Sequence, residues 1–145
     1  MTESPLTKKL KIKEGYTATI INAPEGYLDE LKPLPPKVKI LQKADTQSDW
    51  IQIFVKTKDE VDKLFPKILW LLKPETLIWI SFPKGTSDIQ TDLTRDKGWD
   101  VVIAEGLKWT NLISVNETWS AFSIRQYKKG EVKQSRGGRP SAPTQ

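Results

Sequence analysis

Glu25, Lys84 and Glu117 are the side chains of this sequence best suited to act on a bound molecule. The lysine can counter an anionic group, and the two carboxylates can take a proton or accept hydrogen bonds. Trp119, just beyond Glu117, can supply a flat apolar wall. Asn22 and Gly26 flank Glu25, and Asp92 lies in the polar stretch that follows Lys84. Simple proton transfer or plain binding is the chemistry open to this set, because the chain contains no histidine and no cysteine. Serine–histidine and cysteine–histidine catalysis, disulfides and the commonest transition-metal sites are thereby excluded. Each residue also has an ordinary structural use. Asn22 and Gly26, with Pro24 between them, suit a turn; Asp92 suits a helix cap, Lys84 a solvated loop and Glu117 a hairpin.

The elements that must position these residues are clearest in Asp49–Pro83, which reads as strand, helix and strand. Trp50–Val55 is an almost continuous apolar run, as in a strand covered on both faces. Thr57 stands three residues before Glu60, the spacing of a capping box. The helix that follows places Val61, Leu64, Phe65, Ile68, Leu69 and Leu72 on one face, with Pro66 predicting a kink and Pro74 the end. Thr76–Phe82 returns as a second buried strand, so the connection is a right-handed crossover between parallel strands.

Ahead of this unit, Tyr16–Asn22 reads as a first strand, Ala23–Tyr27 as its exit loop and Tyr27–Leu31 as a short helix. Pro33, Pro35 and Pro36 enforce an extended segment before Val38–Leu41, a peripheral second strand whose neighbours Lys37, Lys39 and Lys43 guard its edge. The stretch 43–49 is too short for a crossover helix, so a simple loop should carry the chain across the first strand. Behind the unit, Pro83–Thr91 is a polar loop, and Thr91 or Thr94 is suited to cap a helix carrying Trp99, Val102 and Ile103 and ending near Gly106. Thr110–Val115 and Trp119–Tyr127 form a closing hairpin. The fold class is therefore α/β: one open, mostly parallel sheet with flanking helices and a C-terminal antiparallel hairpin. The six tryptophans are expected in core and edge packing.

Residues 1–5 are expected to be a flexible N-terminus, 6–128 a single α/β domain and 129–145 a disordered basic tail. The net charge of +5 divides into +2 before residue 15 and +4 from residue 128 onward, leaving residues 15–127 at −1. Nucleic-acid binding through the basic tail is accordingly a lesser alternative to a solvated terminus. No run approaches the ~20 apolar residues of a membrane span, and the N-terminus lacks the apolar core of a secretory signal. No membrane association and a cytoplasmic location are expected.

The order of elements, the Leu72-Lys73-Pro74 turn into a hydrophobic strand and the closing hairpin resemble a shortened class I methyltransferase fold, the Rossmann-like family that uses S-adenosylmethionine. The set Lys9–Gly15, Asn22–Tyr27, Phe82–Lys84, Thr91–Thr94 and Asn116–Ser120 resembles, across Leu6–Tyr127, a bacterial family of small uncharacterised domains. The first resemblance implies a glycine-rich turn after the first strand and a ribose-binding acid after the second. Here the turn holds only Gly26, and the second strand runs into Gln42-Lys43-Ala44 before Asp45. A helix and a strand of the usual cofactor half are also missing.

The carboxyl ends of the parallel strands are where ligands lie in such sheets. The loops carrying Asn22, Glu25 and Gly26, then Lys84 and Asp92, then Glu117 and Trp119 are expected to meet there. The reading preferred on sequence is a non-catalytic binding or interaction module without a cofactor, its partner an unknown protein or small-molecule ligand. The alternative is a divergent S-adenosylmethionine-dependent methyltransferase. A filled edge beside Gly26 would exclude it.

Overall fold

The apolar run Trp50–Val55 and the capping-box spacing after it produce the centre of the molecule. The computed structural model describes residues 4–94 and 97–131. Its elements are α1 (Pro5–Leu10), β1 (Thr17–Ile21), α2 (Tyr27–Leu31), β2 (Lys39–Leu41), β3 (Ser48–Phe54) and α3 (Lys58–Ile68). A 3₁₀ turn (Leu69–Leu71), β4 (Leu72–Pro83), α4 (Asp100–Ala104), β5 (Lys108–Ser114) and β6 (Trp119–Arg125) follow. The strands form one six-stranded sheet in the order β2-β1-β3-β4-β6-β5. β2, β1, β3 and β4 are parallel, whereas β6 is antiparallel to both β4 and β5. The open α/β sheet with a closing antiparallel hairpin is thus present, and β2 passes to β3 by a loop that crosses β1.

Local chemistry explains the central unit. Thr57 Oγ1 accepts the Glu60 N–H at 3.2 Å, starting α3. The Glu60 carboxylate reaches one residue further back than in a simple capping box, to the Lys56 N–H. The helix does not run to Leu72 as expected. It ends at Ile68, where the next N–H, that of Leu69, bonds three residues back to the Pro66 carbonyl. The chain tightens into the 3₁₀ turn and enters β4 at Leu72, so Pro74 lies at the exposed start of a strand and does not terminate the helix.

Two apolar layers cover the sheet. On one face Val61, Phe65 and Ile68 of α3, with Trp99 and Val102, pack on Ile51, Ile53, Ile78, Ile80 and Phe122. On the other, Leu10, Ile12, Tyr27 and Leu31 pack on Trp50, Trp79 and Ala121. The second layer contains α1, a helix absent from the sequence reading. Its last residue supplies a carbonyl, Leu10 O, that accepts both the Trp50 and the Trp79 indole N–H, at 2.8 and 2.9 Å. One oxygen with two lone pairs satisfies two buried donors that the sheet itself leaves unpaired.

Three expectations need correction. The flexible terminus does not extend to residue 5: Ser4 caps α1 by accepting the Thr7 N–H at 3.1 Å, and its hydroxyl donates to Leu31 O at 2.8 Å. Neither Thr91 nor Thr94 caps α4, which begins at Asp100 after Trp99. Thr91 Oγ1 accepts the Leu93 N–H and Thr94 Oγ1 the Lys97 N–H, so both close tight turns. At the other end, Glu131 is fastened to Arg125 and Lys108, each at 2.8 Å, so the turn at 128–131 is fixed on the sheet. The remainder of the basic tail, from 132, lies outside the described residues. Five tryptophans are buried, and Trp70 is 55% exposed.

Candidate functional site

Strand connections diverge between β1 and β3. From β1 the chain turns through α2 to β2 on one side, and from β3 it crosses through α3 to β4 on the other. The two exits draw apart at the carboxyl end of the sheet, where an open crevice forms. A cleft of about 670 Å³ lies there, within the ~300–1,000 Å³ of small-molecule sites.

The β1 exit forms one wall. Asn22 adopts a left-handed conformation (φ 63°), which asparagine tolerates better than most residues, and its side chain points back toward Phe54 O at 3.5 Å. Ala23, Pro24 and Glu25 continue along the cleft, and the Pro24 carbonyl accepts the Tyr27 N–H at 3.0 Å as α2 begins. Gly26, at the head of α2, has φ 83°, and an added Cβ would meet nothing within 4 Å. This glycine is required by its backbone conformation, and no close approach of another chain segment depends on it. It borders a second cavity of about 380 Å³ with Leu28, Asp29 and Gln42.

The floor is aromatic. Phe54 packs edge-on against Trp119 and Tyr27, with ring centres 5.0 and 4.7 Å apart. Beneath it the Tyr27 hydroxyl donates to Gln52 Oε1 at 2.7 Å, and Gln52 Nε2 donates to Ser81 Oγ at 2.8 Å. Burial pushes the Tyr27 phenol well above its ordinary range, so it stays a neutral donor. Trp119 is held by the hairpin tip, where Asn116 Oδ1 accepts the N–H groups of Thr118 and Trp119, both at 2.9 Å. Lys56 and Glu60 form the β3 side, with Thr118 and Ile89 opposite.

The predicted residues divide into groups. Asn22, Glu25 and Trp119 line the cleft together, and Gly26 adjoins it. Lys84 does not line it: its ammonium donates to Ser114 Oγ at 2.6 Å, while its backbone N–H donates to Thr118 O at 2.8 Å. Glu117 lines a separate depression of about 350 Å³ with Ser87, Asp88, Ile89 and Thr118. Asp92 accepts the Lys58 N–H at 2.8 Å and so caps α3. Lys56, Glu60, Phe54, Ile89 and Thr118 were not anticipated. The missed signal was Val55–Thr57, the exit of β3. It belongs to the same carboxyl edge as the other loops, but its capping-box spacing drew attention to the helix alone.

No family model matches the chain, and a search of curated proteins finds no match. Solved structures do resemble it. DhpI, in a complex with SAH, matches over 86% of this chain and 83% of its own, with a TM-score of 0.58 and 10% identity. The ribosomal protein L11 methylase of Lactobacillus delbrueckii subsp. bulgaricus matches over 84% and 76%, with a TM-score of 0.55 and 11% identity. A SAM-dependent methyltransferase from Aquifex aeolicus matches over 85% and 90%, with a TM-score of 0.50 and 16% identity. The fold is therefore the Rossmann-like fold of class I SAM-dependent methyltransferases. At such identities the likeness establishes architecture alone.

Proposed function

We propose that this chain is a divergent S-adenosylmethionine-dependent methyltransferase whose cofactor lies in the cleft between the β1 and β3 exits. The observation that carries this reading is the cleft's position, at the carboxyl ends of the two strands where the connections diverge. The edge beside Gly26 is open, which is the condition the enzyme reading had to meet. Structural neighbours named as SAM-dependent or solved with SAH support the same ligand class.

The lining fits the cofactor's chemistry. A nucleoside joined to an amino acid asks for an apolar wall against the base, acceptors for hydroxyl and ammonium groups, and a cation for the carboxylate. Phe54, Ile89 and Trp119 supply the first, Glu25 and Glu60 the second, and Lys56 the third. When bound, S-adenosylmethionine supplies an electrophilic methyl group. The protein's part is to bind and orient, and to exclude water along the aromatic floor. A non-catalytic binding module on the same fold retains one observation in its favour. The loop from β2 to β3 carries no helix or strand, and the β2 exit brings Gln42, not a carboxylate, to the cavity beside Gly26.

Calorimetric titration with S-adenosylhomocysteine tests the reading without a known methyl acceptor. Micromolar binding is expected, weakened about tenfold, or about 1.4 kcal/mol, by Lys56→Ala. Gly26→Val should abolish it, because a β-branched residue resists the left-handed turn that follows Glu25 at the wall of the cleft. No heat at millimolar ligand would overturn the cofactor assignment. Binding without methyl transfer to any component of a cell extract would favour the non-catalytic module.

A further inference from the structure

Three lysines converge on the outer strand beside the cleft. Lys9 Nζ donates to the Ser114 carbonyl at 2.7 Å, and Lys84 Nζ donates to the hydroxyl of the same residue at 2.6 Å. Ser114 Oγ in turn donates to Asn116 O at 3.3 Å, which leaves its lone pairs facing Lys84. With the Asn111 amide oriented so that its NH₂ donates to Thr110 O, its oxygen accepts Lys11 Nζ at 3.1 Å. Residues 111 and 114 of β5 are thus decorated by cations drawn from the segment after α1 begins and from the end of β4.

Among the described residues none of these three lysines forms an ion pair. The nearby carboxylates are turned elsewhere: Glu30 accepts from Asn116 Nδ2 at 3.1 Å, and Glu117 lines the depression with Ser87 and Asp88. Two ammonium groups share one serine with no acid paired to either, and each hydrogen bond there uses one of an ammonium's three N–H donors. That arrangement is satisfied by an anion. The sum of −1 over residues 15–127 conceals it, because the patch joins lysines from the +2 front segment to one from the core.

We propose that Lys9, Lys11 and Lys84 form a phosphate-binding rim around the free edge of β5, Lys11 and Lys84 reaching it from opposite faces of the sheet, that seats a nucleic-acid strand at the lip of the cleft. Lys84 connects the two features, since its backbone N–H holds Thr118 O and Thr118 lines the cleft. Charge without an apolar anchor favours a polyanion over a protein partner, whose binding energy concentrates on buried aromatic residues. The large exposed hydrophobic residue among those described, Trp70, lies just before β4, at the end of that strand opposite Lys84. As a methyl acceptor the nucleic acid rests on the methyltransferase reading; as a ligand it does not.

The test is fluorescence anisotropy of a short labelled single-stranded RNA with the full chain, at about 50 to 200 mM salt. Lys9→Gln with Lys84→Gln should weaken binding tenfold or more and flatten the slope of log affinity against log salt by roughly 1.4. Lys9→Arg with Lys84→Arg should restore both. Lys133→Gln, Arg136→Gln and Arg139→Gln together should leave most of the affinity. Equal affinity in the double glutamine variant, loss confined to the tail variant, or equal competition by inorganic phosphate or by a polyglutamate peptide would each overturn the proposal. Failure to bind S-adenosylhomocysteine with lysine-dependent RNA binding intact would remove the methyltransferase reading and leave this one standing.

Discussion

Asp92 accepts the Lys58 N–H, one of the donors that the first turn of α3 leaves without an intrahelical partner. Its polar character is therefore explained without a ligand. Asp92→Ala should lower stability by about 1 kcal/mol and the melting temperature by roughly 4 °C, while leaving S-adenosylhomocysteine affinity unchanged. The reverse pattern in the same two measurements would return Asp92 to the site. Glu25 and Trp119 differ from it in facing the cleft, and Lys56 joins them from a position that sequence spacing alone assigns to a helix entrance. Residue type made all of these candidates. Only the partner of each polar atom separated a cap from a lining group.

At the scale of elements, α1 is the least obvious and among the best fastened. Its six residues are too few for a helix to persist in isolation, and the neighbouring lysines blur its apolar pattern. It holds because Ser4 and Thr7 both donate to Leu31 O, at 2.8 and 2.7 Å, while Leu10 is fully buried and receives two indoles. Ser4→Ala should destabilise the fold by about 1–2 kcal/mol in urea denaturation, with amide exchange rising first around α1 and the end of α2. Uniform acceleration across the sheet would contradict that local role. The α3 entrance and the closing hairpin were legible because their signals are short-range: a threonine and a glutamate three apart, and two apolar runs around Asn116-Glu117-Thr118. The helix end is not legible in the sequence, because the chain tightens into a 3₁₀ turn at Leu69–Leu71 before Pro74 is reached.

The whole molecule closes around its last strand. Glu131 is held by Arg125 first, then by Lys108 and by the Lys128 N–H, and these hold its carboxyl far below the ordinary range. Because the folded value is the lower one, the contribution is present above the unfolded glutamate value of ~4.3 and fades as pH falls toward the folded one. Asp49 acts in the same direction: burial raises its pKa, but the Thr17 N–H and Lys73 outweigh it. Melting temperature should therefore fall steadily below about pH 4, and Glu131→Gln should flatten that fall. A wild-type profile unchanged down to pH 3 would contradict the clasp. No helix among the described residues is long and apolar enough to cross a membrane.

The sequence by itself determined the α/β class, the parallel pair around α3, the edge position of β2 and the final hairpin, since each follows from periodicity, caps and loop length within one local stretch. It also determined the chemistry that is excluded, through the absence of histidine and cysteine. Tertiary structure alone decided which polar residues share a cleft. Asn22, Lys56 and Trp119 are distant along the chain and meet only because β1 and β3 end, and the antiparallel β6 begins, at one edge of the sheet. It likewise decided that Lys9 and Lys84 share Ser114, a convergence that no spacing along the chain encodes.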